Sequence, residues 1–196
     1  MKVLVACETS GTVRRAFESK GHLVVSVDLL PAEDNARNHI QCDVLQFLSQ
    51  HESLFDLMIA HPPCTHLAVS GARWFKDKQE QQREAIEFFK AIASTSIPKW
   101  CIENPIGIMA KHYRKHDQIV QPWQHGHRMQ KSTCLWLKGL PLLQPSNIVD
   151  KGDFHVTKSG KRIPAWYNMG ETKDRWQKRS KTFEGIAVAM AQQWST

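Results

Sequence analysis

The chain has 196 residues, 41% of them hydrophobic, a net charge of +7 with its ten histidines neutral, and five cysteines. That length suits one α/β domain with a real core; no apolar run is long enough to span a membrane, and "MKVLVACETSG" lacks a signal-peptide pattern, so a soluble cytoplasmic protein is expected. The basic balance favours polyanions such as DNA, RNA or nucleotides, whereas widely spaced cysteines without a C-x-x-C pair argue against a disulfide framework or a zinc ribbon.

In chain order, "KVLVAC" (2–7) reads as a buried strand running into the polar turn "ETSGT". A helix is predicted over 12–20, with Val13, Ala16 and Phe17 facing the core and Gly21 closing it. "HLVVSVD" is a second strand ending at Asp28, and "NHIQCD" a short third element ending at Asp43, followed by a helical turn or two in "VLQFLSQ". "FDLMIA" is a fourth strand. The clearest helix is "KQEQQREAIEFFKAIAS", which places Ala85, Ile86, Phe89, Ile92 and Ala93 on one face. "KWCIEN" is a fifth strand with Glu103 at its end. The second half is less regular: a strand at 133–137, a polar stretch over 144–180 with room for a hairpin, and a closing helix in "KTFEGIAVAMAQQW" with Ile186, Met190 and Trp194 inward.

Strands alternating with helices predict a mostly parallel sheet flanked by helices, in a single domain over 1–196. In such sheets ligands sit beyond the carboxyl ends of the strands, so Glu8 to Gly11, Asp28, Asp43, His61 to His66 and Glu103 to Pro105 are expected on one rim. A glycine-containing turn after the first strand lets backbone approach a ligand, and Asp28 stands where an acid can accept hydrogen bonds from ribose hydroxyls. An ordinary βαβ unit with a solvated Asp28 reads equally from these residues. Asp43 can contact an adenine amino group or serve as the N-cap of "VLQFL".

Cys64 follows two prolines at the end of the fourth strand and is either a nucleophile or a buried structural thiol. His61 and His66 flank it in "HPPCTH"; polarising the thiol or contacting phosphate suits them better than metal binding, because no second cluster supplies a fourth ligand. "HLAVSGARWFK", with Gly71, Arg73 and Trp74, reads as a loop that could close over a substrate. Lysine and arginine concentrate in "KHYRKH", "KSGKR" and "KDRWQKRSK", the last placing Trp176 among cations in a mixture suited to phosphates and stacked bases.

"HPPC" after one hydrophobic strand and "IEN" after another resemble the Pro-Cys and Glu-Asn motifs of the cytosine-5 DNA methyltransferases. The likeness is strongest to small methyltransferase-like proteins of the kind phages encode. It covers most of 2–110 and, more loosely, "RSKTFEGIAVAMA" near the C-terminus, similar to the family's last motif. The resemblance implies a Rossmann-like S-adenosylmethionine-dependent methyltransferase fold. Glu8, Thr9, Ser10 and Gly11 would form the cofactor loop, Asp28 the ribose ligand and Asp43 the adenine contact, with Pro62 beside them. Cys64 would be the nucleophile, adding at carbon 6 of cytosine so that carbon 5 can attack the sulfonium methyl. Glu103 would be the acid on ring nitrogen 3. That chemistry calls for a partly ionised thiol and for a Glu103 kept protonated by burial. His66, Arg73, Trp74, Asn104, Arg128 and Lys131 complete the expected substrate contacts, Asn104 and Pro105 mainly shaping the turn.

The chain departs from the family's pattern in three places. "IENPIG" stands in place of Glu-Asn-Val. "HRMQKSTCLWL" offers Arg128, Gln130 and Lys131 at the wrong spacing for the family's Gln-x-Arg-x-Arg strand. Residues 139–180 form only an irregular, basic insert where a target-recognition domain is expected. The implied activity is therefore methylation of DNA, duplex or single-stranded, with little sequence preference and with "KSGKR" and "KDRWQKRSK" as a backbone clamp. Trp74, Trp123 or Trp166 could fill the place of a flipped base. A free pyrimidine nucleotide as substrate, or a catalytically inactive DNA-binding protein on the same fold, are the alternatives.

Overall fold

Residues 3–6 alternate between two buried faces, and this alternation sets up the whole molecule. The computed structural model describes residues 1–69, 77–168 and 179–195. Val3 and Val5 of β1 (Lys2–Ala6) pack against α1 (Thr12–Glu18) and the C-terminal helix α5 (Glu184–Gln193), while Leu4 and Ala6 face α2 (Val44–His51) and α3 (Gln79–Ala93). A strand buried on both faces reads as one continuous apolar run, as this one does. Burying each such aliphatic side chain contributes roughly 1.5–3 kcal/mol.

Among the described residues the sheet has seven strands. β2 (Leu23–Asp28) and β3 (His39–Gln41) lie to one side of β1, and β4 (Leu57–Ala60) and β5 (Lys99–Pro105) to the other, all parallel. Beyond β5, β7 (Thr133–Lys138) runs antiparallel and separates it from β6 (Gln118–Val120). The expected mostly parallel sheet between helix layers is present. β6, with Ile119 exposed, carries too short an apolar pattern to announce itself in the sequence.

α1 and α2 begin where a carboxylate satisfies their first N–H groups. Asp43 caps α2, its Oδ1 accepting the Gln46 N–H at 2.9 Å. Glu8 does the same for α1 from outside the helix: its carboxylate accepts the N–H groups of Val13 (2.7 Å) and Arg14 (3.3 Å). Ile86, Phe89 and Ile92 bury the inner stripe of α3, and Ile186, Met190 and Trp194 face inward as expected. α5 sits so close to the neighbouring loop that a Cβ on Gly185 would lie 1.8 Å from the His125 carbonyl oxygen.

The described part of the basic insert contains a hairpin, β8 (Phe154–Val156) against β9 (Arg162–Pro164), followed by a short 3-10 turn at Ala165–Asn168. A further short helix, α4 (Met109–His112), follows β5. Among the described residues no helix is long and apolar enough to cross a membrane.

Candidate active site

β1 and β4 are neighbours, yet the chain leaves them in opposite directions across the sheet, which makes the crevice above them the switch point of the topology. The pairings Ala6 with Val27, Ala6 with Ala60 and Ala60 with Ile102 bring the carboxyl ends of β1, β2, β4 and β5 level. A cavity of about 980 Å³ opens there.

One half of the cavity is built from the ends of β1 and β2. The first strand stops at Ala6 rather than Cys7, because Cys7 adopts a left-handed backbone conformation (φ 60°) that turns the chain across the rim. Burial, reinforced by the carboxylates of Asp28 and Asp43, pushes the Cys7 thiol far above its ordinary value. Glu8, Thr9 and Ser10 line the wall, as does Asp28, whose Oδ1 accepts the Leu30 N–H at 2.9 Å. Because the Glu8 carboxylate is occupied by α1, the turn offers backbone and small hydroxyls to the cavity. With an acid at the end of β2, this set suits a nucleoside. Lys181 closes that end by pairing with Glu33, whose backbone N–H also bonds Thr9.

Two expected contacts lie elsewhere. Gly11 holds the αL position that starts α1 and does not line the cavity. Asp43 is the N-cap of α2 and is likewise absent from the lining, reaching the site only through its charge on Cys7.

The other half joins the ends of β4 and β5. Cys64 lies in a loop fastened to β5 and the turn after it. His61 Nδ1 donates to Glu103 Oε2 at 3.1 Å, and Asn104 Nδ2 donates to the Pro62 carbonyl at 2.8 Å. Further along, Val69 N–H bonds the Ile106 carbonyl at 3.1 Å and Ile108 N–H bonds the Leu67 carbonyl at 2.9 Å. The His66 carbonyl accepts from Gln82 of α3. Asn104, only 2% exposed, positions this loop through that bond and also lines the cavity. Pro62 and His66 do line the cavity.

The electrostatics invert two expectations. Burial alone would raise the Glu103 carboxyl, but the hydrogen bond from His61 and the charge of Lys131 outweigh it, so Glu103 is ionised at neutral pH rather than protonated. Burial and then the Glu103 carboxylate push the Cys64 thiol above its ordinary range. Lys131, the loop's own backbone and Arg179 pull it down without cancelling that rise. Cys64 therefore rests as a thiol. His61, expected near the sulfur or phosphate, is engaged by Glu103 instead; its Nε2 is buried without a partner.

Lys131 reaches the site as expected. Its Nζ donates to the Arg179 carbonyl at 2.9 Å and stands 5.3 Å from the Trp166 ring centroid. Arg128 does not: it pairs with Asp150 on the exposed face, because the chain turns away before β7. Arg73 and Trp74, with most of the closing loop and Trp176, lie outside the described residues. Trp123 packs under Lys151 away from the cavity, and Trp166 is buried in its wall.

Several lining residues had no distinct signal. Tyr167, Arg179 and Thr182 arrive from the insert and the segment before α5; only the basic character of "RSK" and its likeness to a closing motif hinted at them, and Trp166 was marked only as one of three tryptophans able to fill the place of a flipped base. Gly107 is a second: a Cβ there would lie 2.2 Å from the Leu67 carbonyl oxygen, so only glycine lets the turn after β5 support the Cys64 loop.

No family model and no curated protein matches the chain. Among solved structures, that of the Entamoeba histolytica methyltransferase EhMeth is similar, with a TM-score of 0.55 and 16% identity. The match covers 79% of this chain and 58% of that protein, so the chain spans little more than half of its length. At that identity the likeness speaks for architecture: the chain has a Rossmann-like methyltransferase fold.

Proposed function

We propose that the protein methylates carbon 5 of cytosine in DNA, with S-adenosylmethionine as methyl donor and a covalent Cys64 adduct as intermediate. The observation that carries this reading is the single cavity in which Cys64 and Glu103 stand on adjacent strand ends beside a nucleoside-suited half built around Asp28. Neither half alone would support it.

The donor, when bound, supplies an electrophilic methyl group; Thr9, Ser10 and Asp28 would hold its nucleoside part. Carbon 5 of cytosine is a weak nucleophile while the ring is aromatic. Formation of a bond between the Cys64 sulfur and carbon 6 turns carbon 5 into an enamine carbon. Glu103 takes up a proton as the base docks, and donating it to ring nitrogen 3 relieves the charge that this addition places on the ring. A base acting through water then takes the carbon 5 hydrogen as a proton, the carbon 6–sulfur bond breaks to give back the Cys64 thiolate, and the double bond is restored. Asn104 and Gly107 fix the loop that presents the sulfur, and Lys131 adds positive charge between the reacting groups.

The insert supports a substrate held by its backbone rather than read by sequence. Its described part is a small hairpin with Lys158, Lys161 and Arg162 exposed, and Arg162 sits 4.6 Å from the Phe154 ring centroid. Such cations beside an aromatic suit phosphates and unstacked bases.

Labelled S-adenosylmethionine offered with cytosine-rich DNA and, separately, with dCMP tests the proposal. Label at carbon 5 of DNA cytosine supports it. Label in dCMP alone moves the substrate to the free nucleotide. Failure to bind S-adenosylhomocysteine by calorimetry, with DNA still bound, would leave a nucleic-acid-binding protein on this fold.

A further inference from the structure

We propose that the hairpin of β8 and β9 is a landing surface for an unpaired DNA strand, which makes single-stranded DNA the substrate class. Phe154, Arg162 and Tyr167 stack the bases that flank the cytosine held in the cavity. This inference rests on the methyl-transfer reading and narrows its substrate from DNA in general to the single strand.

The hairpin forms a two-stranded sheet of its own, apart from the main one. Phe154 pairs with Pro164 and Val156 with Arg162, so these four residues share one face. On that face Phe154 is 41% exposed and Val156 58%, and the Arg162 guanidinium stands 4.6 Å from the Phe154 ring centroid. A lone two-stranded hairpin gains little from its own packing, so these apolar groups in water add little to the fold. Unstacked bases, in contrast, stack on aromatic rings and on arginine planes alike. The charge fits the same ligand. Residues 154–164 contain Lys158, Lys161, Arg162 and His155 and no acid. The two acids just before them, Asp150 and Asp153, act on Arg128. Phosphates are therefore drawn to this surface.

Continuity with the cavity decides the form of the strand. β9 runs directly into the 3-10 turn Ala165–Asn168, and the Ala165 N–H bonds the Asp153 carbonyl at 2.9 Å, carrying the hairpin up to that turn. Within the turn, Trp166 is buried in the cavity wall, while Tyr167 lines the cavity and is 44% exposed. Exposed rings therefore stand both at the cavity, in Tyr167, and outside its lining, in Phe154. A base flipped from a duplex enters the cavity alone, and its neighbours stay paired and stacked. Tyr167 would serve such a base, but Phe154 would have nothing to stack. Phe154 gains a partner only when nucleotides next to the target are unpaired too, which a single strand provides.

Fluorescence anisotropy with a labelled cytosine-containing oligonucleotide, single-stranded or annealed to its complement, reads the preference. Labelled-methyl transfer to both forms is measured in parallel. Wild-type protein is expected to bind the single strand at least about tenfold more tightly than the duplex. Phe154→Leu keeps an apolar side chain but loses the ring, and is expected to weaken single-strand binding about tenfold while leaving duplex binding unchanged. Phe154→Trp retains the preference. Lys158→Gln combined with Lys161→Gln lowers affinity and flattens its dependence on salt. Melting curves confirm that each variant is folded. Duplex bound as tightly as single strand, or Phe154→Leu with wild-type affinity, overturns the inference and leaves the methyl-transfer reading standing. A single-strand preference that Phe154→Leu removes, with no methyl group transferred to either form, supports the strand surface and overturns the methyl-transfer reading.

Discussion

His61 and Glu103 are joined by a 3.1 Å hydrogen bond that crosses from the loop after β4 to the end of β5. The bond fixes the carboxylate whose charge, after burial, helps to raise the Cys64 thiol. It also makes the carbonyl side of the loop, through Asn104 and Pro62, part of the same support.

The first consequence concerns the free thiol. Because the Glu103 charge helps to push Cys64 up, Glu103→Gln is expected to speed iodoacetamide alkylation of Cys64 several-fold at pH 8. Lys131→Met is expected to slow it. Peptide mapping of the alkylated site checks both, and equal rates in all three proteins would remove the electrostatic coupling.

Asn104 joins the two strand ends with a buried donor. Asn104→Ala leaves the Pro62 carbonyl without its partner and is expected to cost about 1–3 kcal/mol in urea unfolding. Displacement of the loop should lower kcat far more than that cost alone suggests, by at least about tenfold. Unaltered kcat would show that the loop holds Cys64 without it.

Gly107 is required by contact rather than by backbone angle. Gly107→Ala drives a methyl group to 2.2 Å from the Leu67 carbonyl oxygen. The turn must move, at an expected cost of about 1–3 kcal/mol and a lower melting temperature. A melting temperature equal to that of wild type would contradict the close approach.

Acid lability follows from groups held below their ordinary values. Bonds from the Thr95 hydroxyl and from Ser96 hold the Glu52 carboxyl low. Asp34 is held low by Arg15 and Arg14 against the opposing effect of burial. Their folded values lie beneath the unfolded ones, so the stability they contribute is present above about pH 4.5 for Glu52 and is lost as pH falls through the folded value. Burial and the nearby His127 depress His125, whose loss begins earlier, as pH drops below 6.5. Glu52→Gln should flatten the acid side of a stability–pH curve measured by urea unfolding, and an unchanged slope would count against that assignment.

Most of the sheet was legible because its strands are apolar runs ended by polar turns. β1, β2, β4, β5 and α3 lie within a residue or two of where the pattern puts them. The rim position of Cys64 and Glu103 followed from the same rule. Their charge states did not: Glu103 is lowered by His61, which becomes its neighbour only when β4 pairs with β5, and Cys64 is raised by burial and then by Glu103. Asp43 shows the limit of reading one residue for one role: a strand-end acid and a helix N-cap are the same pattern, and here the cap is formed. Arg128 and Lys131 were equivalent in sequence; the turn into β7 sends one to Asp150 and the other to the cavity. Residues 166 and 179–182 reach the wall through long-range packing that no local pattern records.

The central claim is that Cys64 bonds to a cytosine ring in DNA, and trapping tests it most directly. Protein incubated with S-adenosylmethionine and an oligonucleotide bearing 5-fluorocytosine should yield a denaturation-stable complex, with mass spectrometry locating the nucleotide on Cys64 and none forming in Cys64→Ser. A bound, folded protein that gives no such complex, or a Cys64→Ala variant that methylates at the wild-type rate, would contradict it.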